Sequence, residues 1–205
     1  MSTWTETPGG GRRRGPRGLA RAWVAVLVRP RRFFATGVRP GDQAPGLTFA
    51  VVVAAAFTLG WLLADPGAIP AITESAALSA VVVLLVVIAL AAPVGLHLTA
   101  AVATLSLLVA SIGFDDGLGL RDRGGVSETV QVVAYASAPM ALAGPPIAGL
   151  RIACATYATV LVWYGIRAVH GTTALRATVA GLPPAIAGYW IGYRALAAAR
   201  SLVGV

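Results

Sequence analysis

Long apolar runs alternate with short polar interruptions along this chain, and the lengths of the runs carry most of the information. Residues 46–64, "GLTFAVVVAAAFTLGWLLA", hold no charge and end at Asp65, Pro66 and Gly67. That pattern predicts a helix able to cross a hydrocarbon core of about 30 Å, with Trp61 at an interface. A polar loop, "DPGAIPAITES", follows. Residues 76–114 then contain no Asp, Glu or Arg. As one helix they would extend about 58 Å. Either one helix tilts, kinks at Pro93–Gly95 and projects from the bilayer, or two short spans meet there. The intervening "AAPVGLHLTAA" is too apolar for an exposed loop, which favours one helix. "DDGLGLRDRGGVSE" (115–128) is a genuine loop, with Ser127 placed to cap the next helix. A third span is expected over 129–142, a fourth over 150–169 and a fifth over 173–193. "AGPPIAG" separates the third from the fourth, and Pro183–Pro184 interrupt the fifth.

Ahead of the first span the pattern changes. Residues 1–18 carry glycine, proline and arginine with nothing to bury, and read as a disordered basic tail. Residues 18–28 suggest a helix too short to span, lying in the interface and ended by Pro30. The segment 19–45 is thus an interfacial helix plus linker, and 46–205 a five-helix transmembrane domain. The expected fold class is an all-α polytopic membrane protein with five transmembrane helices and an N-terminal interfacial amphipathic helix. Residues 19–28 are also too short for a signal peptide and are followed by "RPRRFF" rather than a small-residue cleavage site, so no cleavable leader is expected.

Composition agrees. The 205 residues are 57% hydrophobic and 12% charged, whereas a soluble domain carries about 25% charged residues. All sixteen basic residues are arginine, and nine precede Pro45 against Glu6 and Asp42. Beside a membrane span, such a cluster reads as a contact with anionic lipid; nucleic acid is not an expected partner. With the N-terminus inside, five spans leave 13 arginines inside and three outside, namely Arg151, Arg194 and Arg200. Six spans would give a 12 to 4 division. Both satisfy the positive-inside rule and predict a multi-pass cell-membrane protein with a cytoplasmic N-terminus.

Three stretches resemble the Yip domain family of Ypt/Rab-interacting-protein-like integral membrane proteins, in particular its short prokaryotic members. "VLVRPRRFF" (26–34) resembles the proline–aromatic entry to the first span. "VQVVAYASAP" (130–139) resembles the tyrosine-to-proline motif of the third. "GIRAVHGTTALRA" (165–177) resembles the turn between the fourth and fifth. The resemblance spans residues 26–195. It implies five helices, a cytoplasmic N-terminus and, in eukaryotic relatives, vesicle traffic with prenylated GTPases. The Asp-Leu-Tyr-Gly-Pro motif of those relatives is absent here, so GTPase binding is not carried over.

Candidate chemistry is sparse. In "IRAVHGTTALRA", Gly171 suits the left-handed position after a helix, and Arg167 and His170 favour the dipole of its last turn. Thr172 or Thr173 can cap the helix that follows. A proton relay or metal site through His170 is the sharper alternative, but one histidine without a nearby carboxylate or cysteine makes a poor ligand set. Arg29, Arg31, Arg32, Arg167, His170 and Arg176 are candidate lipid-headgroup contacts. His97, Gln131, Tyr135 and Ser137 form a candidate intramembrane polar site, since ionisable or polar groups at membrane depth invite a functional reading. The bland reading is helix-to-helix or helix-to-carbonyl bonding. Gly188 and Gly192 (GxxxG), with Ala56–Gly60 and Ala91–Gly95, are candidate packing contacts. Arg151 is expected to snorkel to the outer headgroups. Cys154 is a buried small hydrophobe. No catalytic motif, metal site or cofactor is expected. The functional expectation is a non-enzymatic membrane organiser or docking platform, with lipids and a second copy or another membrane protein as partners. The alternative is a small transporter or channel using the polar stripe of the third span.

Overall fold

The computed structural model describes residues 5–6, 12–13, 15–113, 119–120 and 123–204. The rest of the expected basic tail, with Arg14, and part of the 115–128 loop lie outside the described residues. The architecture is a helical bundle: α1 Pro16–Val28, α2 Pro30–Gly37, α3 Ala44–Ala64, α4 Ala76–Val86, α5 Ala92–Ala110, α6 Val126–Ala136, α7 Ala148–His170, α8 Ala174–Ala185 and α9 Ala195–Leu202. Two-residue antiparallel pairings join Thr5–Glu6 to Arg12–Arg13 and Ile112–Gly113 to Gly119–Leu120.

Among the described residues three helices are long and apolar enough to cross a membrane: Ala44–Ala64, Ala76–Ala110 and Ala148–His170. The second settles the long apolar run as one continuous helix, in which α4 passes into α5 through a π-helical turn, Val87–Ala91. Pro93 has no N–H to donate, and its ring would crowd the carbonyl four residues back, Ala89. The widened turn contains that carbonyl. Ser75 caps the start, its Oγ accepting from the Leu78 N–H at 3.3 Å.

The other two expected spans are shorter as helices than the sequence suggested. α6 has 11 residues, about 16 Å. Pro139 then tightens the chain into a 3₁₀ segment, Ala138–Leu142, and Gly144, Pro145 and Pro146 break it. α8 has 12 residues and holds Pro183 and Pro184 before passing into a second π-helical turn, Ile186–Ile191. By length and composition the structure thus supports three spans of the expected five. The cap of α6 is also displaced: Gly125 precedes the helix and Ser127 lies inside it.

The sequence of the entry segment misleads in one respect. α1 stops at Val28, ahead of Pro30 as expected, but Pro30 also starts α2, where its missing N–H costs nothing. Phe33 and Phe34 on α2 are buried, as are Ala22 and Val26 on α1. α1 and α2 therefore dock on the bundle. The core lies where Phe49, Val53 and Phe57 of α3, recurring every fourth residue, meet α6 and α7. Every residue of α6 from Thr129 to Ala136 is buried, so the shortest core helix is the central one.

Candidate functional site

Arginines and aromatic rings gather at the two ends of α7. Arg151 begins it and Arg167 nears its end, about 24 Å apart along the axis. That separation suits the two interfaces of a bilayer core of about 30 Å.

At the α7 C-terminal end the groups form a ladder. Arg31 of α2 donates to the Tyr164 hydroxyl at 3.3 Å and lies 5.1 Å from the centre of its ring. Tyr164 meets Trp163 edge to face at 5.1 Å, and Arg167 lies 5.0 Å from the centre of the Trp163 ring. The Trp163 indole N–H donates to Thr178 Oγ1 at 3.1 Å, tying the ladder to α8. Beside it lies an apolar hollow of about 230 Å³ between α7 and α8, walled by Val160, Gly181 and Leu182. Arg29, Arg31, Arg32 and Arg167 are exposed, and Arg176 is half-buried. His170 is buried instead, with Nε2 3.4 Å from Thr129 Oγ1 and Gly124 close against its ring. The structure thus sets Arg31 and Arg167 on two adjoining rings and turns His170 inward. The turn itself forms as expected: Gly171 is left-handed at φ 58°, and Thr173 caps α8 by accepting from the Arg176 N–H at 3.4 Å.

The N-terminal helices are fastened to the bundle by polar bonds. The Trp23 indole donates to the Ala138 carbonyl at 2.8 Å, and the Tyr157 hydroxyl donates to the Leu27 carbonyl. The Gln131 side chain grips the Arg39 backbone: Oε1 accepts from its N–H at 3.1 Å and Nε2 donates to its carbonyl at 2.6 Å. Phe34 seats at Gly165, where an added Cβ would stand 2.5 Å from Val132 Cγ1 and 3.1 Å from the Phe34 ring.

The candidate intramembrane polar residues do not converge. Tyr135 lies edge to face with Phe33 and Phe49 at 4.9 and 5.1 Å. Ser137 donates to the Ala134 carbonyl at 2.6 Å. His97 is exposed on the outer face of α5, with Nδ1 2.8 Å from the Pro93 carbonyl. Gly188 packs against α5, where an added Cβ would meet Thr99 Cγ2 at 2.7 Å, whereas an added Cβ at Gly192 would meet the backbone of its own turn at Gly188. Gly60 likewise faces Gly144, but Gly95 has nothing within 4 Å of an added Cβ and opens on empty space.

At the α7 N-terminal end, Arg151 does not snorkel. It is buried, with Nε donating to the Ala143 carbonyl at 3.1 Å and Nη2 to the Gly144 carbonyl at 2.7 Å. It satisfies the carbonyls that the proline break leaves unpaired, and lies 5.5 Å from the centre of the Phe57 ring. One turn along α3, Trp61 carries Arg194 at 5.1 Å. Tyr193 meets Phe57 edge to face at 5.0 Å. Arg194 is left-handed at φ 61°, uncommon for a residue with a side chain. Sequence reasoning missed the roles of Trp23, Tyr157 and Phe34. For the phenylalanines a signal existed, since "RPRRFF" places proline where a helix starts.

Among the described residues no three or more His, Cys, Asp or Glu side chains gather as a metal site. Comparison with curated proteins finds no match, and comparison with solved structures finds none. A family model for the Yip1 domain matches residues 24–194, which takes in the last turn of α1 and runs from α2 through the second π-helical turn. With three membrane-length apolar helices inside that match, the chain belongs to the Yip1 domain family of membrane proteins.

Proposed function

We propose that this is a non-enzymatic, five-helix integral membrane protein of the cell membrane. It serves as a membrane-organising scaffold or docking platform, with its cytoplasmic N-terminal helices held against anionic lipid. The observation that carries the reading is the fastening of α1 and α2. Four side chains from α1, α2, α6 and α7 fix them to the bundle, while Arg29, Arg31 and Arg32 stay exposed. A basic surface on a rigid mount favours headgroup recruitment over a mobile tail, because little ordering entropy is lost on contact. The excess of arginine on the N-terminal side supports the cytoplasmic assignment. A second copy or another membrane protein is the partner such a platform would present to. The transport alternative gains no support from this geometry.

Deleting residues 1–32 would remove the buried Ala22 and Val26 along with the charges, so neutralising the charges is the cleaner test. The full-length protein is reconstituted in phosphatidylcholine vesicles with and without phosphatidylglycerol, and lipid retained around it is measured. Replacing Arg29, Arg31 and Arg32 by glutamine should lower the preference for phosphatidylglycerol by about fivefold per charge, near 1 kcal/mol each. An unchanged preference overturns the reading. Reporter fusions after Leu120 and after Gly204 test the five crossings: five require the first inside and the second outside.

A further inference from the structure

The bundle contains a cleft of about 500 Å³ between α3, the π-helical turn of the α4–α5 helix, and the π-helical turn after α8. Ala54, Val87, Gly95, Leu98 and Gly188 are among its walls, and Trp61, Tyr193 and Arg194 stand at one end. Its volume lies within the range of about 300–1,000 Å³ typical of small-ligand sites. In a protein that folds in lipid, an apolar cleft gains nothing from excluding water, because lipid tails are as apolar as leucine. What selects an occupant is shape, dispersion contact with walls that otherwise face a void, and charge at the mouth. A membrane-spanning helix is about 10 Å across and 30 Å long, several times the space available. A single flexible hydrocarbon chain fits that space.

The charge at the mouth is positive. Arg194 is exposed there, with its guanidinium over the Trp61 ring. Among the described residues, Arg151 bonds two carbonyls and rests on Phe57, with no carboxylate among these contacts. The left-handed backbone at Arg194 holds its guanidinium over Trp61, at the mouth; departures of this kind cluster at ligand clamps. Asp65, the nearest acid along α3, ends that helix one turn beyond Trp61. We propose that the cleft holds one acyl chain of an anionic glycerophospholipid, with the lipid phosphate against Arg194. The mouth at Arg194 lies toward the opposite end of α7 from Arg31 on Tyr164, and it carries its own charge.

The test uses full-length protein in nanodiscs containing phosphatidylglycerol or phosphatidylcholine with a diazirine in the acyl chain. After illumination, labelled peptides are mapped. Label should concentrate on residues 83–102 and 187–194, with phosphatidylglycerol ahead of phosphatidylcholine by about fivefold, the worth of one arginine near the surface. Gly95→Leu points into open space, so it fills the cleft without a clash and should remove the label for both lipids. Arg194→Gly keeps the left-handed backbone and should equalise the two lipids while leaving chain labelling intact. Unchanged labelling in Gly95→Leu overturns the proposal, as does equal labelling of both lipids by the unaltered protein. A disulfide-linked dimer formed readily by Gly95→Cys would put a second copy in the cleft and also overturn it. The variant lacking Arg29, Arg31 and Arg32 should label the cleft normally, which separates this site from the platform reading. Thermal unfolding of each variant checks that the bundle persists.

Discussion

The two ends of α7 use the same chemical parts for different purposes. At the C-terminal end, Arg31 and Arg167 stack on Tyr164 and Trp163 and stay exposed, with their charge left on the surface. At the N-terminal end, Arg151 stacks on Phe57 but is buried and bonded to the carbonyls of Ala143 and Gly144. The difference follows from the local backbone. The C-terminal turn at Gly171 satisfies itself with a left-handed residue and a threonine cap, so no arginine is drawn in to complete it, although His170 packs inward against Thr129. The break at residues 143–147 leaves carbonyls without donors inside the bundle, and a guanidinium with its fork of N–H groups supplies them. An arginine near the end of a membrane-length helix is therefore left exposed or drawn in as a structural plug according to whether the neighbouring turn closes its own hydrogen bonds.

Breaking this contrast should have graded effects. The largest is expected for Arg151→Met, which keeps much of the side-chain bulk but orphans two buried carbonyls. Stability should fall by about 3 kcal/mol, read by chemical unfolding in detergent. A loss no larger than that of Arg167→Met would show that the two ends are equivalent after all. Next is Gly165→Ala, whose Cβ would press on Val132 and Phe34. About 1–3 kcal/mol should be lost, and cleavage at Arg39 by trypsin should quicken as α2 lifts. Trp23→Phe removes one bond to Ala138 and should cost about 1 kcal/mol, seen as faster amide exchange in α1.

The gentler substitutions sharpen the comparison. Arg167→Gln removes an exposed stacked charge. It should alter stability by about 0.5 kcal/mol yet lower anionic-lipid preference by about fivefold. Arg151→Met should do the reverse, changing stability with little effect on lipid preference at the other end. Smallest is His97→Leu. His97 is exposed and, among the described residues, its ring bonds the Pro93 carbonyl of its own helix, so stability should stay within about 0.5 kcal/mol. A large loss there would mean that a partner outside the described residues depends on it.

The membrane class, the helical fold and the single long helix were legible because their signal is a sum over many residues. No charge over 46–64 or 76–114 leaves few alternatives. The turn at Gly171 and Thr173 was equally readable, since capping is local chemistry. Arg151 was not. Its position at a helix start suggests reach toward water, and its burial depends on carbonyls set free by Pro145 and Pro146, which a linear reading counts only as a break. Gln131 was seen as a polar residue in a span, but its partner is a backbone ninety-two positions away, and no local pattern indicates that. Ala91–Gly95 read as a packing pair because small residues admit a neighbouring helix. They also leave space when none arrives, and pattern alone does not separate the two.

The widened turn at Ile186–Ile191 has a consequence for change by insertion and deletion. In regular α geometry each residue advances the direction of its side chain by about 100°. If that turn lost one residue and reverted to α geometry, everything beyond it would swing by about that angle. Tyr193 would leave Phe57 and Arg194 would leave Trp61, although every side chain kept its identity. The angular phase of the last segment is thus set by a single surplus letter, and losing that letter would be a graver change than any one substitution in the same turn.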